Sequence, residues 1–290
     1  MRLAIRHETL YRYTSPLAYT IQELRLTPRI ETHQHIVAWH LESSGTRHAF
    51  TDAYGNQCHM LTVTGTHDEV RIVVSGEIDV LPLDRGRLYE NGTLSPLVYT
   101  VTTRLTEPSD TIRAFAAQNL RGDQSEDLIQ LATAICGAVE YQSGATAVTT
   151  TANDALLLGQ GVCQDHAHLF IACCHTRNIP ARYVSGYIDS GSTGHAESHA
   201  WVDVWVTEND FTGWVSIDVT HACYASDMHC RLAVARDYDS AAPVSGARRG
   251  GGDESLDVRV SVTPLPQQKA TQKQTQFLLQ YGYRALSLCI

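Results

Sequence analysis

The chain has 290 residues, 43% of them hydrophobic and 18% charged, which suits one large folded domain or two ordinary ones and excludes a disordered chain. A formal net charge of −9 argues against nucleic acid or an anionic membrane as the main partner. No apolar run reaches the roughly 20 residues of a membrane-spanning helix, the N-terminus "MRLAIRHETLYRY" lacks a signal-peptide h-region, and eight cysteines at unpaired spacings do not make a disulfide scaffold. Together these features point to a cytoplasmic protein with reduced thiols. Only two of the 22 basic residues are lysines, Lys269 and Lys273, so arginine supplies the other 20.

Residues 1 to about 103 read as β-rich. "MRLAIRHETLYRY", "HIVAWHLESS" (35–44), "CHMLTVTGTH" (58–67) and "VRIVVSGEIDV" (70–80) alternate apolar and polar positions, with turn signals at "TSP" (14–16), "TPR" (27–29), "DAYGNQ" (52–57) and "LPLDRG" (81–86). Short strands at this spacing form a sheet or sandwich, and Tyr54-Gly55-Asn56 reads as a hairpin turn. After "LTEPSD" (105–110) the pattern turns helical. Ser109 or Asp110 caps a helix through "TIRAFAAQNL", and Leu128, Leu131, Ile135 and Val139 mark a second. Asn153 or Asp154 caps a short third helix that Gly159 and Gly161 stop. The following segment places Ala167, Phe170, Ile171 and Cys174 on one helical face until Pro180.

Three strands follow: 181–189, 198–206 and 213–219. In the second, Ala200, Val202, Val204 and Val206 point one way and His199, Trp201, Asp203 and Trp205 the other. In the third, Val215, Ile217 and Val219 oppose Trp214, Ser216 and Asp218. Adjacent strands can therefore present an imidazole and a carboxylate side by side. "GARRGGGDE" (246–254) reads as a mobile surface loop, and beyond Val262 the polar, Gln-rich segment reads as a tail with a short terminal helix.

The stretch "GQGVCQDHAHLF" (159–170) places Cys163 at a helix start behind two glycines. A thiol ionises near a pKa of about 8.5, and a helix N-terminus favours the thiolate. The Cys163 N–H can also help hold an oxyanion. An imidazole beside the thiol would form a thiolate–imidazolium pair and later protonate the leaving amine, and a carboxylate on the far ring nitrogen would orient it. His199 and Asp218 fit those roles; for Cys163 alone, a buried inert thiol is the simpler reading.

"GQGVCQDHAHLFIACCHTRNIPARYVSGYI", "ESHAWVDVWV" and "GWVSIDVTH" resemble the three core motifs of the transglutaminase-like superfamily. "HETLYRYTSP", "ELRLTPR" and "DAYGNQ" resemble the β domain that precedes this core in bacterial members, and residues 228–262 resemble the segment that closes them. The resemblance covers residues 1 to about 262. It implies an α+β protein: an N-terminal antiparallel β domain (1–104), a papain-like, transglutaminase-like core in which a Cys-bearing helix packs on an antiparallel sheet (105–263), and a polar tail (264–290). It assigns the nucleophile to Cys163, the base to His199 and the orienting acid to Asp218. Family members commonly follow this Asp with Pro-Thr, whereas here Val219-Thr220 follows.

Around these residues, Gln160 and Gln164 are candidates for a second oxyanion donor, and Asp165 for tuning the thiol or contacting substrate, with a solvated first turn as the plainer alternative. Trp201, Trp205 and Trp214 are expected to wall the site and pack the Cys helix, with direct contact to substrate as the alternative. Cys136, Cys173 and Cys174 read as core. The cluster "HACYASDMHC" (His221, Cys223, His229, Cys230) matches no zinc spacing, and no calcium loop is present, so neither a metal nor another cofactor is expected. The expected activity is cysteine-dependent acyl transfer at peptide or side-chain amides through a thioester, with hydrolysis favoured. The alternatives are cross-linking of glutamine side chains to amines and a non-catalytic binding module. The expected partner is a peptide or protein amide, with no nucleic acid and no membrane; the oligomeric state is open.

Overall fold

A computed structural model describes residues 1–89, 94–189, 191 and 197–266. In chain order its elements are β1 (Arg2–Leu24), β2 (Gln34–Ser43), β3 (Thr46–Thr51), β4 (Gln57–Val80), β5 (Arg87–Leu88), α1 (Asp110–Asn119), α2 (Ser125–Ala138), β6 (Glu140–Tyr141), α3 (Ala152–Leu158), β7 (Gln160–Gly161), α4 (Cys163–His175), β8 (Ala181–Ile188), β9 (Glu197–Thr207), β10 (Thr212–Asp218), β11 (Cys223–Tyr224), β12 (His229–Ala235), α5 (Tyr238–Ala241), β13 (Val244–Gly250) and β14 (Glu254–Leu265). No helix among the described residues is long and apolar enough to cross a membrane. The fold is α+β, with two six-stranded antiparallel sheets, a small parallel pair of β6 with β7, and the helices gathered on one of the large sheets.

The first sheet is built on two long strands. β1 and β4 run antiparallel from Arg2↔Asp79 to Leu24↔His59, with a register shift between Arg12 and Leu17. The expected turn at Thr14–Pro16 is therefore an irregularity inside one strand, where proline lacks the N–H that a ladder would need. The segments expected as separate strands at 58–67 and 70–80 likewise join into β4. β2 and β3 pair with β4 on one side, and β13 and β14 pair with β1 on the other.

That last pairing departs from the expected boundary. Residues 244–263 were assigned to the core, yet they extend the first sheet, because β1 would otherwise leave a long edge of unpaired backbone groups. "GARRGGGDE" is thus strand rather than surface loop over most of its length, with β13 and β14 running end to end along the same edge of β1. The ladder breaks at 251–253, opposite Thr14–Pro16, and Gly250, Gly251 and Gly252 all have positive φ. In the opposite direction, β5 leaves the N-terminal region and pairs with β10 of the second sheet. The tail helix expected beyond residue 266 lies outside the described residues.

The second sheet has the order β11-β10-β9-β8-β12, every pair antiparallel. Its aliphatic face, with Ala200, Val202, Val204, Val215 and Ile217, meets Leu128, Leu131 and Ile135 of α2 and Ala167, Phe170 and Ile171 of α4. The helix starts follow from short polar caps. Ser109 Oγ accepts from Ile112 N–H at 3.1 Å, and Thr151 caps α3 in place of the expected Asn153 or Asp154, forming a reciprocal box with Asp154. α4 is buried from Gln164 to His175, on every side rather than on one face, because α1, α2, α3 and the sheet surround it. Truncating its fully buried Phe170 to alanine would cost about 3–5 kcal/mol.

The opposite face of the second sheet meets the first sheet through buried charge. Arg231 holds Asp203 with two bonds, at 2.9 and 2.6 Å, and reaches Glu31 at 2.9 Å, while Arg182 Nε donates to Asp203 at 2.8 Å. Burial pushes the Asp203 carboxyl up, but Arg231 and Arg182 outweigh it and hold it well below the carboxylate range. The turn at Asn56 has a larger role than closing a hairpin. Its amide donates to Val234 O at 2.8 Å and accepts from Val234 N–H at 2.9 Å, docking the first sheet onto β12.

Candidate active site

α4 begins at Cys163 on a turn with little freedom. Asp165 Oδ2 accepts from Val162 N–H at 2.8 Å and from Thr146 Oγ at 2.6 Å, which ties the helix start to the preceding loop. At Gly161 a side chain could not fit, since a Cβ would stand 2.8 Å from that of Asp165. The backbone N–H groups of Cys163 and Gln164 head the helix without intrahelical acceptors, so both are free to meet an anion.

His199 lies near the start of β9 and Asp218 closes β10, and the antiparallel pairing of these strands brings the two together. His199 Nε2 lies 2.9 Å from Asp218 Oδ2, and the Cys163 thiol acts on the same imidazole through hydrogen bonding and charge. Burial works against a charged ring here. The bonds and charges of Asp218 and Cys163 outweigh it and raise the His199 pKa to about 10. Burial also penalises the Asp218 carboxylate, but its imidazole partners hold it well below the usual range. The arrangement favours a charged imidazolium beside the Asp218 carboxylate, the partner that a cysteine nucleophile needs.

Trp201 supports His199 from the side. Its ring stacks on the imidazole with centroids 6.0 Å apart, and its Nε1–H donates to Ser216 Oγ at 3.0 Å. Gly186 makes room for this ring, since a Cβ there would meet Trp201 at 2.4 Å. Trp201 does not pack the Cys helix as expected: it is buried among Val184, Ala225 and Val234, on the face turned away from α4.

Trp214 does not wall the site. It lies with Leu88, Tyr99 and Trp205, under the Arg182 guanidinium at 4.2 Å. A period-two pattern assigns residues to a face, and here that face belongs to the sheet–sheet interface. Asp165 is 1% exposed, so it braces the turn and offers no surface to a substrate. Gln164 is committed to Val148 O at 3.1 Å. Gln160 is half-buried, and among the described residues its side-chain amide bonds to nothing, so of the two glutamines it is the one not tethered to backbone.

Two histidines join the site that its chemistry did not call for. Asp218 Oδ2 also meets His221 Nδ1 at 2.8 Å and His229 Nε2 at 3.0 Å, while Oδ1 accepts from His221 N–H at 3.2 Å. Both stand in the "HACYASDMHC" cluster, whose common target was hidden because β12 is a neighbour of β8 and not of β10. The Val219-Thr220 pair that replaces Pro-Thr is accommodated. Val219 is fully buried in the core, and Thr220 Oγ1 lies 3.0 Å from His166 Nδ1, tying the turn after Asp218 to the nucleophile helix.

His199, Asp218 and His229 are close enough to suggest a metal site. The hydrogen bonds oppose it. Ser226 N–H donates to His229 Nδ1 at 3.1 Å, so the ring's hydrogen sits on Nε2, where a metal would need a lone pair. A second group, Glu23, Asp52 and Cys58, is already bridged by Arg25, which bonds both carboxylates.

Comparison with known proteins agrees with this architecture. The bacterial transglutaminase-like N-terminal region matches residues 3–79, and the transglutaminase-like superfamily core matches residues 113–219. An uncharacterized protein of Mycobacterium leprae (strain TN) is 30% identical over 287 residues, covering 91% of this chain and 99% of its own length. One from Mycobacterium tuberculosis (strain ATCC 25618 / H37Rv) is 30% identical over 293 residues, covering 91% of this chain and 93% of its own. Among solved structures, a proposed cysteine protease from Cytophaga hutchinsonii superposes with a TM-score of 0.74 at 22% identity, over 92% of both chains, which is a likeness of fold. The chain belongs to the transglutaminase-like superfamily and carries, ahead of the core, the N-terminal region of its bacterial members.

Proposed function

We propose that this protein is a cysteine-dependent hydrolase of peptide or side-chain amides, with Cys163 as nucleophile, His199 as acid and base, and Asp218 orienting His199. One observation carries this reading: a single buried imidazole bonds Asp218 at 2.9 Å and is coupled to the Cys163 thiol, and together they raise its pKa to about 10. The superfamily and the solved cysteine-protease neighbour support it.

In the first half-reaction the Cys163 sulfur attacks the amide carbon, and the N–H groups of Cys163 and Gln164 at the head of α4 face the developing oxyanion. Gln160, with its unbonded amide three residues before the nucleophile, is the side-chain donor best able to join them. His199 passes its proton to the departing amine as the C–N bond breaks, leaving a thioester on Cys163. In the second half-reaction His199 takes a proton from water, the hydroxide attacks the thioester carbon, and the Cys163 thiolate leaves. Water needs no second binding site, which favours hydrolysis over transfer to an amine.

The test is to incubate the protein with a glutamine peptide and a labelled primary amine. The expected product is the acid (glutamate) with the amine unincorporated, and Cys163→Ala reduces turnover to background. Incorporated amine would make the protein a transglutaminase, and turnover surviving in Cys163→Ala would remove Cys163 from the reaction. No turnover and no thiol reactivity in the unaltered protein would leave the binding module.

A further inference from the structure

Asp218 is completely buried, yet one of its oxygens faces three imidazoles. Those from His199 and His221 follow from the chain: one lies across the strand pair, the other three residues along. The one from His229 does not, because β12 pairs with β8 on the far side of β9. His229 is held in place by a reciprocal link to one residue. Its backbone N–H donates to Ser226 O at 3.1 Å, and Ser226 N–H donates to its Nδ1 at 3.1 Å. A backbone N–H is only ever a donor, so Nδ1 accepts and Nε2 carries the ring's hydrogen, aimed at Asp218.

We infer that His229 is a positioning residue: its Ser226-locked Nε2–H holds the Asp218 carboxylate ionised and aimed at His199. This rests on the reading of Cys163 and His199 given above.

His221 bonds the same oxygen, but its side chain is 54% exposed, so water can replace its hydrogen. His229 is 3% exposed and lies edge-on against Trp201 at 5.2 Å, where no solvent donor can enter. A buried carboxylate that loses a donor binds protons more tightly, and the attraction it offers the His199 imidazolium weakens with it. The other titratable groups facing Asp218 are Cys136 on α2, Cys223 on β11 and His166 on α4. None of their side chains donates to this carboxylate. Cys136 gives its S–H to Val219 O, and His166 is held by Thr220 and by Val139 O.

The test is the pH dependence of Cys163 alkylation by iodoacetamide, in which the thiolate sulfur displaces iodide; the peptide bearing Cys163 is quantified by mass. His229→Asn keeps an acceptor for Ser226 N–H but is too short to reach Asp218. His229→Gln puts an amide N–H where Nε2 stood. The expected result is that Asn moves the alkylation midpoint up by about one pH unit, slowing alkylation about tenfold on the acid side, whereas Gln stays within about twofold of the unaltered protein. A low midpoint that Asn leaves in place overturns the inference alone, as does an equal shift in both variants, which would mark a packing role. A midpoint near the free-thiol value of about 8.5 in the unaltered protein overturns the Cys163–His199 reading and the inference with it. A second measurement needs no variant. Imidazole 15N shifts of the unaltered protein are expected to show a bare Nδ1 and a protonated Nε2 at His229, and the opposite tautomer would contradict the inference.

Discussion

Asp203 and Asp218 are both fully buried, on neighbouring strands and on the same face of the sheet, yet their surroundings give them opposite roles. Asp203 is gripped by Arg231 and Arg182, whose charge does not titrate, and the cluster joins the two sheets. Asp218 is surrounded by imidazoles, the one side chain that exchanges protons near neutrality. Ser216 touches both systems, accepting from Trp201 Nε1 at 3.0 Å and from Arg231 Nη1 at 3.3 Å, so the rigid cluster braces the ring that stacks on His199. A buried carboxylate is thus structural or chemical according to whether its partner can give up a proton.

The sharpest way to break this comparison is to remove the same charge in both places. Asp218→Asn is expected to lower amide turnover by about 10⁴-fold, the scale seen when a triad carboxylate is lost. Asp203→Asn is expected to cost about 3–5 kcal/mol of stability, because Arg182 and Arg231 both lose the buried carboxylate they share, while the pH midpoint of Cys163 alkylation stays put. Urea midpoints and alkylation profiles of the two variants decide it. Equal effects of both variants on both readouts would erase the distinction.

Next in size is the pH dependence of stability. Asp203, Asp218 and Glu31 have folded pKa values below their ordinary ones, that of Glu31 at about 2. Their contributions are complete above the unfolded carboxylate values near pH 4 and are lost as pH falls toward about 2. His199 has the opposite sign. Raised to about 10, its contribution is complete below the ordinary imidazole value and is lost as pH rises through about 10. Urea midpoints across pH 2–11 should therefore fall at both ends, with His199→Gln removing part of the alkaline fall and Asp203→Asn part of the acid fall. The smallest effect expected is that of His221→Ala, about twofold in alkylation rate, as for other exposed polar contacts.

What the sequence made legible was local. The alternation along 198–206, the helix start at Cys163 and the aliphatic face that receives it follow from side-chain periodicity, and the structure brings Cys163, His199 and Asp218 together. What it hid depends on contacts between distant segments. Thr14–Pro16 carries turn chemistry, but two-sided pairing of β1 absorbs it as an irregularity. The glycine- and arginine-rich stretch 246–254 lacks an alternating pattern and joins two strands laid end to end along β1 only because β1 has an edge to offer. Trp214 lies on the expected face of its strand, but the first sheet and the Tyr99 region cover that face. His229 reaches Asp218 only through the strand order of the second sheet.

The central claim is that Cys163 forms a thioester with an amide substrate. The most direct measurement is intact-protein mass spectrometry after acid quench of a mixture with a glutamine peptide, followed by mapping of the adduct. The account predicts a mass gain equal to the peptide minus ammonia, located on Cys163, absent in Cys163→Ala and discharged by hydroxylamine. An adduct on another cysteine, or turnover without any covalent adduct in either protein, would contradict it.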